Sequence, residues 1–139
     1  FQGFFERVDP VGYARRLHRE PVSGDTGRHV FMTYGLGDSY SPEPTMRAYA
    51  RAGQLTLVEP VLTTMDDGTP DDLGLPTVTA PLSENRDVGG SSWTIGMRQY
   101  EPPSGDDGHF VSTRTTEGRA DVLRFLQQAT SGGMPAIGE

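Results

Sequence analysis

Apolar and polar positions change rhythm several times along this chain, and each change marks an element. Asp9-Pro10 offers a capping carboxylate followed by proline at a first helical position. Behind it Tyr13, Ala14 and Leu17 share one face at helical spacing, so a helix is predicted over 11–18, closed by Pro21 and Gly24. Arg15, Arg16 and Arg19 load its last turns, where the helix dipole favours cations. Residues 29–34 (His-Val-Phe-Met-Thr-Tyr) form a short run of β-formers between Gly27 and Gly35, the pattern of a buried parallel strand. A glycine-rich turn follows. Ser41 and Pro42 then read as cap and first residue of a helix over 42–52, with Met46, Tyr49 and Ala50 on its apolar face and Gly53 at its end.

Residues 55–58 are a second strand-like run, and beyond them the pattern dissolves over 59–92. That stretch holds an acidic loop at 66–72 and, over 77–82, a segment that Pro76 and Pro81 restrict to a short edge strand. Residues 93–100 (Trp-Thr-Ile-Gly-Met-Arg-Gln-Tyr) alternate large apolar with polar side chains and predict another strand. A proline-glycine-aspartate loop containing His109 leads to a final helix over 116–129, its face built from Ala120, Leu123, Phe125 and Leu126 and its end marked by Gly132 and Gly133. There is no internal repeat. The order strand, turn, helix, strand is α/β architecture.

Composition narrows this picture. Only 34% of the 139 residues are apolar, against 18 glycines and 11 prolines, a lean core supply for a self-contained domain. Residues 1–8 carry three phenylalanines without a helix-start signal. They read as a piece of something longer, with a cloning scar at Phe1-Gln2-Gly3 as the alternative. No signal peptide opens the sequence. The chain has no cysteine, which excludes disulfides and thiolate metal sites. No apolar run approaches the roughly 20 residues that span a bilayer. A net charge of −7 argues against nucleic acid or an anionic membrane surface as partner. All 12 basic residues are arginine, which points to a GC-rich bacterial genome.

Candidate chemistry sits in two turns, each behind a strand. Open α/β sheets bind ligands where loops converge at the carboxyl ends of their strands. Asp38 follows the strand at 29–34, and His109 follows the strand at 93–100. The segment Val30-Phe31-Met32-Thr33-Tyr34-Gly35-Leu36-Gly37-Asp38-Ser39-Tyr40-Ser41-Pro42 resembles the α/β-hydrolase segment in which a glycine turn presents the catalytic acid. Asp106-Asp107-Gly108-His109-Phe110, followed by a helix, is similar to that family's closing segment with its catalytic histidine. The likeness covers about 28–59 and 93–129 and is narrowest to secreted or lipoprotein-type bacterial lipases and esterases.

The resemblance implies a definite division of labour. His109 is the general base that takes a serine proton and later returns it, and Asp38 fixes its tautomer. Gly108 lets the histidine loop fold sharply, while Ser41 and Pro42 anchor the acid's turn. The family's nucleophile elbow, Gly-x-Ser-x-Gly, is nowhere in the chain. Gly89-Gly90-Ser91-Ser92-Trp93 is the nearest run, but it precedes a strand instead of following one. The expectation is therefore residues 1–139 as the C-terminal portion of one α/β-hydrolase domain, with the serine and oxyanion hole on an N-terminal partner segment of a cleaved two-chain protein. The implied substrate is a small carboxylic ester, no cofactor or metal is called for, and the parent protein is exported. The 71 positions from Asp38 to His109 make 60–92 read as an insertion, either a lid or a wrap around one sheet edge.

Other readings stay open. Asp38 is also a natural turn-former that bonds its own backbone, and His109 is also a plausible solvated loop histidine. His18 and His29 read as structural. The acidic loop lacks the spacing of a calcium-binding EF-hand and reads as solvated. The same fold equally serves peptidases, amidases and acyltransferases, and a non-catalytic interaction module is the alternative from another class.

Overall fold

The computed structural model describes residues 9–66 and 74–138. The phenylalanine-rich opening, most of the acidic loop, Glu139 and the side chain of His18 lie outside the described residues. The architecture is α/β, with one parallel sheet of four strands and helices on its faces.

Helix α1 (Pro10–His18) starts as predicted, with the Asp9 carboxylate accepting the Val11 amide at 2.9 Å. Its predicted apolar face is half right. Ala14 is fully buried, whereas Tyr13 and Leu17 are exposed. Strand β1 (Val30–Gly35) leads to helix α2 (Glu43–Gly53), which buries Met46 and Ala50. Ser41 is not the cap of α2. Its amide is already taken by the Asp38 carboxylate at 2.7 Å, so Ser41 belongs to the preceding turn, and Pro42 stands at the cap position without a side-chain bond.

Strand β2 (Thr56–Val58) follows, and β3 (Thr77–Val78) is the edge strand expected over 77–82, cut to two residues, with Leu82 bridging Ile137 instead. The antiparallel hairpin of β4 (Arg86–Val88) and β5 (Ser91–Trp93) was not anticipated. Gly89 and Gly90 form its turn at φ +63° and +81°, the left-handed pair that two-residue hairpins require. Strand β6 (Ile95–Tyr100) is central, lying between β1 and β2, and all six of its residues are buried. Its polar positions therefore do not face water as alternation implied. Arg98 and Gln99 are buried with partners of their own.

The sheet order β1-β6-β2-β3 places one apolar cluster on each face. Tyr34, Met46, Leu57, Ile95 and Met97 pack under α2, while Val58, Leu82, Phe125 and Ile137 form the opposite cluster. The second cluster packs under α4 (Thr116–Thr130), which follows a short helix α3 (Val111–Arg114). The predicted face of α4 is rotated. Phe125 is buried, but Leu123 and Leu126 are exposed, and the inward positions are Gly118 and Asp121. An ion pair decides this orientation, because Asp121 accepts from Arg98 at 2.6 Å and from Tyr100 at 2.7 Å.

The described part of residues 60–92 lies against the sheet and adds β3 at its edge. Gln99 takes the Leu62 and Thr63 amides at 2.6 and 3.0 Å, Met65 enters the core, and Leu82 pairs with Ile137. β3 thus lies at the far side of the sheet from β1. No helix among the described residues is long and apolar enough to cross a membrane.

Candidate functional site

Strands β1 and β6 are parallel neighbours in register, with Gly35 opposite Tyr100. Their carboxyl ends therefore deliver two turns to one place, although 71 positions separate the residues they carry. Backbone contact sets the distance between those turns. A Cβ on Gly35 would overlap the Gly108 carbonyl, and one on Gly108 would overlap the Leu36 carbonyl and approach the Asp38 amide nitrogen to 2.8 Å. Glycine at both positions is what lets the turns touch. Gly108 thus serves close approach more than sharp folding, and the left-handed residue of the acid turn is Gly37 at φ +68°.

The Asp38 side chain is 7% exposed and its two oxygens do different things. Oδ1 accepts the amides of Tyr40 and Ser41 at 2.9 and 2.7 Å. Oδ2 lies 3.3 Å from His109 Nδ1. The turn-former and the histidine partner are thus the same carboxylate, with one oxygen holding the turn so that the other points in a fixed direction. An ionised carboxylate only accepts, so this contact makes Nδ1 the protonated nitrogen. Nε2 has no hydrogen-bond partner among the described residues. His109 stands on a 3-10 turn (Gly108–Phe110), and its side chain is 41% exposed.

Two residues to which sequence reasoning gave no role complete the surroundings. The Tyr40 ring packs against the His109 imidazole with centroids 4.7 Å apart and a tilt of 36°. The Asp107 carboxylate accepts the His109 amide at 2.8 Å and the Ser39 amide at 3.2 Å, together with the Ser39 hydroxyl. The Ser39 hydroxyl above all, then the His109 amide, holds the Asp107 carboxyl below the ordinary carboxylate range. Asp-Gly before the histidine was a usable signal, since aspartate readily bonds the amide two residues on. The bond to Ser39 had no signal, because it joins positions 68 apart.

Beside the pair is a cavity of about 360 Å³. Met32, Thr33, Met46, Val111 and Ser112 line it together with Asp38 and His109. Met32 and Thr33 point to opposite faces of β1, so the cavity straddles the rim of that strand. A larger hollow of about 660 Å³ runs along α2 between Glu43 and Arg51, but neither member of the pair lines it.

β1 closes the sheet on this side. Val30 and Leu36 donate to Thr94 and Tyr100, so by alternation the amides of Phe31, Thr33 and Gly35 face away from β6. No strand pairs with that rim among the described residues.

The remaining histidines lie elsewhere. His29 accepts the Thr94 amide at 3.0 Å through Nδ1 and packs on Trp93. His18 ends α1. Among the described residues no group of His, Asp and Glu is arranged to hold a metal ion. No protein-family model, curated protein or solved structure matches the chain.

Proposed function

We propose that this chain carries the acid and the general base of a serine hydrolase of the α/β-hydrolase class, acting on carboxylic esters through an acyl-enzyme. The observation that carries the reading is the 3.3 Å contact between His109 Nδ1 and Asp38 Oδ2 at the carboxyl ends of adjacent parallel strands. Asp38 stabilises the imidazolium that forms when Nε2 removes a proton, and it holds the ring in the tautomer that leaves Nε2 basic. In this reading the nucleophile is a serine supplied by a partner segment, and the His109 ring bonds no serine or threonine hydroxyl among the described residues. The outward amides of β1 and the cavity at its rim support that arrangement. A further strand laid along β1 would bring its own carboxyl-end turn next to His109. A non-catalytic assembly role draws on the same open strand, which can pair without any chemistry.

The test is turnover of an activated ester by the protein containing both segments. His109→Ala should remove most of kcat while leaving the fold intact. Asp38→Asn should lose a comparable or smaller amount, with about 10⁴-fold as the protease precedent. Near-normal turnover in His109→Ala rejects the reading, and wild-type inactivity with both segments present favours assembly.

A further inference from the structure

The Asp38–His109 contact joins two turns that share no covalent neighbourhood, and one side chain spans the gap between them. Asp107 bonds the His109 amide at 2.8 Å from one side, and the Ser39 amide at 3.2 Å and the Ser39 hydroxyl from the other. Ser39 lies between Asp38, the residue facing the imidazole, and Tyr40, the residue packed on it. One carboxylate therefore fixes the backbone on both sides of the histidine–acid contact.

We propose that Asp107 is a positioning residue of the candidate site, a clasp from the histidine turn to the acid turn that sets the orientation and tautomer of His109. The proposal rests on the reading of Asp38 and His109 as acid and base. The need for such a clasp follows from exposure. Asp38 is almost covered, but the imidazole is 41% exposed and its only side-chain hydrogen bond among the described residues is the long one to Asp38. The rotamers open to a ring depend on its backbone angles, so where the imidazole points depends on how that backbone is held. The Gly35–Gly108 approach sets how near the turns come, but it is a contact without direction. The Asp107 bonds supply the direction, because they leave from Ser39 and His109 themselves. Charge adds to them, since bonds to an ionised carboxylate are stronger than neutral ones. The low proton affinity of Asp107 agrees with a carboxylate that stays ionised to accept all three.

The deciding experiment is nitrogen-15 NMR of the imidazole in the intact chain, at roughly pH 8 where an ordinary imidazole is neutral. Wild type is expected to show a protonated Nδ1 and a bare Nε2. Asp107→Ala is expected to lose that pattern in favour of the Nε2–H form that free imidazole prefers, as Asp38→Asn should. Ser39→Ala deletes only the hydroxyl and is expected to give a mixture, which keeps the test alive if Asp107→Ala does not fold. If Asp107→Ala keeps the wild-type tautomer, or if Ser39→Ala keeps it where Asp107→Ala does not fold, the proposal is overturned, even where thermal stability drops. Activity is a separate readout. In the protein containing both segments, Asp107→Ala should lower kcat with KM little changed. Loss of the tautomer pattern alongside an inactive wild type leaves the clasp standing and removes the hydrolase reading. An active wild type whose tautomer ignores Asp107 does the reverse.

Discussion

Two carboxylates reach across this sheet to a basic partner, and they are held in opposite ways. Asp121 is 3% exposed and accepts from Arg98 at 2.6 Å, Tyr100 at 2.7 Å and Arg124 at 3.1 Å. Every partner is a side chain, and the Arg98–Tyr100–Asp121 cluster lies inside the interface between β6 and α4. Asp38 is nearly as covered, but one of its oxygens is spent on backbone amides and the other faces a histidine that is largely open to solvent. The first arrangement engages both Asp121 oxygens with buried or half-buried side chains and resists change. The second leaves His109 Nε2 without a hydrogen-bond partner among the described residues, on a side chain open to solvent. A buried ion pair held by side chains on both sides acts on stability, whereas a half-open pair keeps one ring nitrogen accessible.

Asp121 should show the largest loss. Asp121→Ala leaves Arg98 and Tyr100 buried beside an empty acceptor position. It should cost about 3–5 kcal/mol of folding stability in denaturant titration. The Tyr100 hydroxyl, pushed well above its ordinary range by burial and then by the Asp121 carboxylate, should stay protonated in the folded wild type up to strongly alkaline pH. Loss of less than about 1 kcal/mol in Asp121→Ala would break the contrast.

Gly108→Ala comes next, because its methyl has to enter the acid turn. A loss of about 1–3 kcal/mol, of the size seen for overpacking, should accompany separation of Asp38 from His109, visible as a changed imidazole tautomer. His109→Ala should stay within about 0.5 kcal/mol of wild type, as expected for an exposed side chain. If it unfolds the chain instead, the histidine is a structural residue and the distinction drawn here collapses.

The smallest effect concerns His29. Burial lowers its proton affinity in the folded state, and its Nδ1 must be bare to accept the Thr94 amide. The unfolded chain therefore binds a proton at His29 more readily than the folded one. The stability contributed by neutral His29 is present above the ordinary imidazole pKa of about 6.5 and is lost as pH falls below it. A stability–pH profile should slope downward from about pH 6.5 toward 5 in wild type and be flatter in His29→Gln. Equal slopes would dismiss His29 as the titrating group.

Sequence patterns were most dependable where a local rule acts alone. The cap at Asp9, the edge position of residues 77–78 and the two turns carrying Asp38 and His109 were all legible because each depends on a few adjacent residues. Tyr13 and Leu17 misled because an apolar pair at helical spacing does not say whether anything covers it. On α4 the apolar count favoured Leu123 and Leu126, but satisfying Arg98 on β6 required Asp121 inside. The β4–β5 hairpin had a signal in Gly89-Gly90, a pair that also fits a glycine-serine run ahead of a strand.

By itself the sequence determined the alternation of strands and helices, the places where glycine or proline breaks them, and the presence of an acid and a histidine behind two separate strands. These follow from steric preferences and side-chain periodicity, which operate over a few residues. Tertiary structure alone decided that β6 lies between β1 and β2, since strand order depends on which surfaces fit together over long separations. That order makes β1 and β6 neighbours, brings Asp38 to His109, and recruits Asp107, Ser39 and Tyr40 around them. None of these contacts has a local energy term large enough to mark it in the chain, because each exists only after the two strands have paired.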